Sequence, residues 1–344
     1  SASYDYASAV RFEPGYPFPD SAERATTQVL DPAPSGAHVA AYATSRVLAT
    51  ERLAVEVGLR WDTQSYAETD SDRQWSPRIN LLYQAGDATR LRASWGRYGQ
   101  FQGINELQVE DGIDEFFPTQ KADHAIVGVE QGLPAGFSLR IEGYRKDYRE
   151  LRPRYESLFD PLSLVPELRW DRVRIAPDSA RAEGVEWLLT RRSDGPWNGW
   201  LNYTWSRVRD DVAGGTVRRS WDQTHTVGGG LTWTRDDWLV TLAGTYHTGW
   251  PTTPVRVIDR DPAPDAIELG PRNSARLADF ASMDLRVSRD FALPRGALTV
   301  FAEVTNALDR RNPCCTDFEY RYDADGSLVT PAPPEDARTW KYKT

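Results

Sequence analysis

Short and long gaps between strand-like segments alternate along this chain without a break. Tight connections fall at Ala49–Arg52, Ala85–Ala88, Leu133–Gly136, Arg235–Asp237 and Leu293–Gly296, with a slightly longer one from Arg192 to Asn198. Every other gap is long and polar, near Glu13–Ala37, Tyr66–Gln74, Phe101–Gln120, Leu151–Ser179, Asp210–Arg219, Pro251–Ala278 and Asp309–Arg338. Such parity gives each strand a direction and sorts the loops to two opposite ends. An antiparallel transmembrane β-barrel imposes this pattern, with short turns on one side of the membrane and long loops on the other.

The segments themselves alternate with period two. Leu53, Val55, Val57, Leu59 and Trp61 share one face, opposite Arg52, Glu56, Arg60 and Asp62. Leu139 and Ile141, Val240 and Leu242, and Val300 and Val304 continue the apolar set, and all of these are expected to face lipid. Starts near Ser1, His38, Glu51, Trp75, Thr89, Lys121, Gly136, Ala180, Pro196, Ser220, Asp236, Asp279 and Gly296 predict about thirteen strands, with a fourteenth beginning at Thr339. Spans of about 9–14 residues suit tilted membrane strands. Arg60, Arg92, Arg140 and Arg286 fall on the opposite, lumenal face, where cross-strand ion pairing is the plainer reading and substrate contact the sharper one. A helix over Tyr155–Leu168 is interrupted by Pro161 and Pro166.

Composition supports a membrane wall more than a soluble core. Trp 13 and Tyr 15 stand against one Met, and such rings concentrate where one edge is dry and the other wet. A Trp-rich β-sandwich that binds sugar shares that composition. Mean hydropathy of -0.58, with no run of about 18 apolar residues, excludes a helical membrane protein. A net charge of -9 argues against nucleic acid as a partner. The start, Ser1-Ala2-Ser3-Tyr4-Asp5, lacks the basic region and apolar core of a signal peptide and reads as strand. Residues 1–344 are therefore expected to form a single domain taken from within a longer protein.

Several stretches resemble the β-barrel of TonB-dependent outer-membrane receptors. Asp222-Gln223-Thr224-His225 looks like that family's Asp-Gln-x-His element, and Gly184-Val185-Glu186 like its Gly-x-Glu strand. Asn306-Ala307-Leu308-Asp309 is similar to its Asn-x-Leu-Asp/Asn segment. Trp75-Ser76-Pro77-Arg78, followed by Leu91-Arg92-Ala93-Ser94-Trp95-Gly96, matches a strand pair of such barrels. The resemblance implies a C-terminal portion of a barrel of about 22 strands in the outer membrane of a Gram-negative bacterium. It also implies partners beyond the chain: outer-membrane lipid, a plug domain, the remaining strands, and a periplasmic TonB coupling protein acting through the plug. The implied activity is active uptake of a scarce nutrient such as a ferric siderophore, cobalamin or a glycan, without covalent chemistry or cofactor.

The contrasting reading is a β-rich outer-membrane or secreted hydrolase or carbohydrate-active protein. It requires converging carboxylates or a Ser–His pair, for which Ser206 or Ser220 with His225 are the candidates. His38, His124, His225 and His247 lack metal-type spacing. Ligand-binding candidates gather in the long loops and their rim: Gln100, Gln102, Asn105, Glu106, Arg152, Arg154, Tyr155, Arg169, Trp170 and Trp250. Arginine beside aromatic rings suits an anionic or planar ligand through bidentate bonds and stacking. The adjacent Cys314 and Cys315 can close a strained vicinal disulfide, bind a soft metal, pair with another segment, or simply pack within a loop.

Overall fold

The computed structural model describes residues 6–8, 28–30, 34–67, 73–107, 115–157, 172–260, 263–312, 321–322 and 328–329. Its centre is one thirteen-stranded antiparallel sheet. Twelve long strands follow chain order: β1 (His38–Thr50), β2 (Leu53–Gln64), β3 (Arg73–Gly86), β4 (Thr89–Gln100), β5 (Gln120–Gly132), β6 (Phe137–Arg149), β7 (Ser179–Arg191), β8 (Trp197–Val212), β9 (His225–Arg235), β10 (Trp238–His247), β11 (Phe280–Leu293) and β12 (Gly296–Val304). Each pairs with its chain neighbours, and the short strand Gly215–Arg218 folds back on the end of β8. The predicted parity holds throughout the wall. Turns of two to five residues join β1 to β2, β3 to β4, β5 to β6, β7 to β8, β9 to β10 and β11 to β12, all at one end.

Local chemistry sets the tight end. Asp236 adopts φ 53° in the two-residue turn between β9 and β10, a left-handed conformation that aspartate tolerates better than most side chains. Gly136 has φ 77°, and a Cβ there would lie 2.0 Å from the carbonyl oxygen of Arg192. Only glycine lets these two turns approach so closely.

The two faces of the wall differ in kind. Val57, Leu59, Ile79, Leu81, Leu91, Val127, Trp187, Leu201, Leu231, Leu242, Leu285, Val300 and Val304 share one face and are all exposed. Among the described residues the buried apolar set is only Ala67, Tyr155, Ile175, Ala180 and Ala182. A soluble sheet would cover its large apolar side chains with protein; this one leaves them uncovered, so the core lies outside the protein, in a surrounding apolar phase. Aromatic residues border the band on both sides. Trp61 and Trp75 meet at 6.4 Å near the long-loop end, and Trp197 and Trp233 at 6.3 Å near the short-turn end. Trp197 and Trp205 bracket eight steps of β8, about 27 Å along the strand, which a tilt of about 40° reduces to roughly 20 Å of membrane thickness.

The opposite face carries the expected ion pairs. Glu130 accepts from Arg90 at 3.2 Å and Arg92 at 2.6 Å, and Arg286 meets Glu303 at 3.0 Å. Gly184 of the Gly-x-Glu segment also lies on this face, and a Cβ there would come within 2.7 Å of the Tyr144 hydroxyl.

Two expectations change. The strand expected from Ser1 does not join the wall where it is described: Tyr6–Ser8 pairs with Gln28–Leu30 in a separate two-stranded sheet. The segment from Tyr155 is extended rather than helical where described, because Arg154–Ser157 pairs with Arg172–Ile175 above the sheet. Among the described residues β1 and β12 each pair on one side only and are exposed along their lengths. Cys314, Cys315, Arg169, Trp170 and the strand expected at Thr339 lie outside the described residues.

Candidate functional site

The long loops build three features at the long-loop end of the sheet. The first is a buried ionic clamp. Arg154 Nε donates to Glu156 Oε1 at 2.6 Å, and its guanidinium also binds Asp210 at the end of β8. Arg219 Nη2 reaches the other oxygen of Asp210 at 2.6 Å. Glu156 Oε2 accepts from Ser220 Oγ at 2.6 Å and from Arg272. Asn273 donates to the Arg218 carbonyl at 2.8 Å and to Ser220 Oγ at 3.1 Å. Asp210 is wholly buried, so its charge is sustained only by these partners. Burial pushes the Glu156 carboxyl upward, but Arg154 and Arg272 outweigh it and hold the group below its ordinary range. The clamp ties three loops, near 154–156, 210–220 and 272–273, into one platform.

The Asp-Gln-x-His element meets this platform. Asp222 Oδ1 accepts from the Val208 amide at 2.7 Å, while Arg276 binds its other oxygen, its carbonyl at 2.7 Å and the Gly249 carbonyl at 2.8 Å. Asp222 therefore satisfies the edge of β8 just beyond the point where β9 begins.

The second feature is an aromatic shelf. His247 stacks on Phe280 at 4.8 Å and on Trp250 at 5.4 Å, and Trp250 meets the exposed Trp221 at 6.3 Å. The third is a cavity of about 390 Å³ between the outer ends of β1 to β4, lined by His38, Arg60, Arg78, Tyr66, Tyr98 and Phe101. Asp62 engages both His38 (3.1 Å) and Arg60 (2.7 and 2.8 Å). Arg78, half-buried, has no ion pair among the described residues, and Gly58 leaves room for it: a Cβ there would lie 2.6 Å from Arg78 Nε.

The candidate residues from the sequence divide among these features. Gln100 lines the cavity and is exposed. Gln102 is a buried strut, donating to the Glu106 carbonyl at 2.7 Å and accepting from the Phe117 amide at 3.0 Å. Asn105 is exposed. Arg152 binds Glu106 at 2.7 Å and holds its carboxyl below the usual range. Arg154 belongs to the clamp, the adjacent Tyr155 is buried, and Trp250 belongs to the shelf. Trp221, Phe280 and Arg78 are not among the ligand contacts expected from the sequence; Trp221 immediately precedes the Asp-Gln-x-His element, which is the available signal. Ser206 donates to the Gln223 carbonyl, Ser220 to Glu156, and His225 pairs with the Tyr203 hydroxyl at 2.9 Å. The Ser–His pair of the hydrolase reading is thus not assembled.

A wall of long antiparallel strands with one lipid-type face, a charged inner face and a loop platform at one end is the architecture of a membrane β-barrel receptor. The chain belongs to the TonB dependent receptor-like β-barrel family, whose model matches residues 1–307. No curated protein sequence matches it. Among solved structures it is similar to the ferripyoverdine receptor of the Pseudomonas aeruginosa outer membrane, at 14% identity and TM-score 0.56, covering 90% of this chain and 39% of that one. A mutant ferric enterobactin receptor from the same organism gives 14%, 0.56, 86% and 42%. The siderophore receptor PirA from Acinetobacter baumannii gives 12%, 0.56, 80% and 42%. This chain therefore spans about two fifths of the length of these structures.

Proposed function

We propose that the chain forms part of the wall of an outer-membrane receptor that captures a scarce, anionic small molecule at the cell surface for TonB-dependent uptake in a Gram-negative bacterium. The observation that carries the ligand class is Arg78, a half-buried guanidinium without an ion-pair partner among the described residues, beside Tyr98 and Phe101 in the β1–β4 cavity. A cation in such a place favours a negatively charged occupant. The aromatic shelf supports a ligand with planar parts, and a ferric siderophore combines both properties. Surrounding lipid, a plug domain, further wall strands and a periplasmic coupling protein complete the proposed assembly. The single-sided pairing of β1 and β12 supports the need for further strands, since an open edge is not sustained in lipid. The proposed role involves no covalent chemistry.

The test is uptake of labelled ferric chelates, cobalamin and oligosaccharides by a deletion strain complemented with wild-type protein or with Arg78→Ala. Uptake of an anionic ferric chelate should be restored by the wild type, and Arg78→Ala should raise the concentration needed by about tenfold. Equal uptake by deletion and complemented strains across the panel refutes the receptor reading. Equal affinity of wild type and Arg78→Ala refutes the assigned site.

A further inference from the structure

Beyond ligand capture, the register of the sheet places a second set of charges on the face opposite the Arg90–Glu130 and Arg286–Glu303 pairs, with Arg97 at its edge also lining the β1–β4 cavity. On β4 to β8 the apolar face continues past its upper aromatic residues into rows of charged side chains. Arg97, Asp123, Asp147, Arg181 and Arg209 stand directly opposite one another across five strands. One pleat toward the band lie Trp95, Ala125, Arg145, Glu183 and Arg207, and one pleat away lie Gly99, Lys121, Arg149, Ser179 and Asp211. The next row inward is Ala93, Val127, Gly143, Val185 and Trp205, which is wholly apolar or aromatic. The charges thus share the lipid-type face and begin where its apolar band ends.

Their arrangement is a lattice with surplus positive charge. Asp123 accepts from Arg97 at 2.7 Å and from Arg149, Asp147 accepts from Arg145 and Arg181 at 2.8 Å each, and Glu183 lies 3.6 Å from Arg207. Each aspartate orients two guanidiniums and can neutralise only one. Across these rows seven cations face four carboxylates, in a chain whose net charge is -9. The five paired arginines are each about half exposed. Exposed ion pairs stabilise a sheet little, so packing alone does not account for the excess.

We propose that this belt binds the phosphate groups of outer-leaflet lipid, with the headgroup held between paired arginines and the acyl chains lying on the apolar rows below. Guanidiniums match phosphate bidentately, and three pleats span about 13 Å along the strand, or about 10 Å along the membrane normal at a tilt of about 40°, enough to cover a headgroup layer of about 5–7 Å. The assignment rests on the membrane reading and adds to it a lipid class and a location.

The protein in detergent micelles is offered equal amounts of dioleoyl phosphatidic acid and dioleoyl phosphatidylcholine, and retained lipid is counted by native mass spectrometry. Preference for phosphatidic acid should be about tenfold at about 50 mM salt and approach parity near about 500 mM. Arg145→Gln with Arg181→Gln should reduce it by at least about fivefold, while Arg286→Gln on the inner face leaves it unchanged. Parity in the wild type, a salt-insensitive preference, or an unchanged preference in the double variant overturns the proposal. The wild-type salt series decides the matter if the variant does not fold. Retention of inorganic phosphate by the lipid-free protein together with no preference for phosphatidic acid over phosphatidylcholine would also overturn it, assigning the arginines to a free anion. Flotation with pure phosphatidylcholine vesicles tests the membrane reading separately, since insertion of the apolar band does not need the belt.

Discussion

Asp210→Ala is the most direct probe of the loop platform. Asp210 is fully buried and accepts from Arg154 and Arg219, whose side chains are only 29% and 26% exposed. Removing the carboxylate leaves Arg219 without its counterion and Arg154 with Glu156 alone. Breaking a buried pair in this way costs about 3–5 kcal/mol, equivalent to about two to three and a half decades in a local opening equilibrium. Native-state hydrogen exchange reads that opening directly. The Arg219 amide, bonded to the Val208 carbonyl at 3.1 Å, and the Asp222 amide, bonded to the Arg219 carbonyl at 2.9 Å, should exchange about 10²–10³ times faster in the variant. Amides of the β9–β10 ladder should be unaffected. Arg90→Ala, which breaks a half-exposed pair with Glu130, is the control, with an expected cost below about 1 kcal/mol. If Asp210→Ala changes loop exchange by less than about fivefold, water compensates the buried charges and the platform is not held as argued.

Acid should release the same platform. Glu156 is held below its ordinary range when folded, so its contribution is fully present above the unfolded value of about 4.3 and is lost as pH falls through the lower folded value. Protease sensitivity of the 272–276 loop should therefore stay low at pH 5 and rise only below about pH 4, and Glu156→Gln should flatten that profile; an unchanged profile in the variant would assign the transition to another group. On the apolar face, Val127 is 63% exposed within the band, so Val127→Arg should cost about 2–4 kcal/mol in urea unfolding from phosphatidylcholine vesicles. The same change at an exposed valine of a soluble sheet would cost about 0.5 kcal/mol or less, and that small value would refute the membrane reading.

The wall itself was legible because its determinants are local. Period-two alternation and tight turns such as Asp236-Asp237 depend on neighbours in sequence, and they specified twelve strands and two loop ends. Where a strand assignment failed, at Tyr6–Ser8, alternation alone could not say which partner the segment would pair with. The platform was not legible, because Arg154 and Asp210 are 56 residues apart and Glu156 and Arg272 are 116 apart. Only the folded loops bring them together, and a charged residue in a long loop reads the same whether buried or solvated. Tyr155 and Gln102 look like ligand contacts in sequence yet are buried in the loop framework. The belt shows the division most plainly. The parity of Arg145 along β6, with Asp147 two residues on, is present in the sequence, but its place between Glu183 and Ala125 comes from the register of three strands. Sequence alone determined which residues alternate and where the chain turns, since these follow from backbone geometry; tertiary structure decided which charges meet and which face water, lipid or each other, since these depend on contacts across the sheet and between its loops.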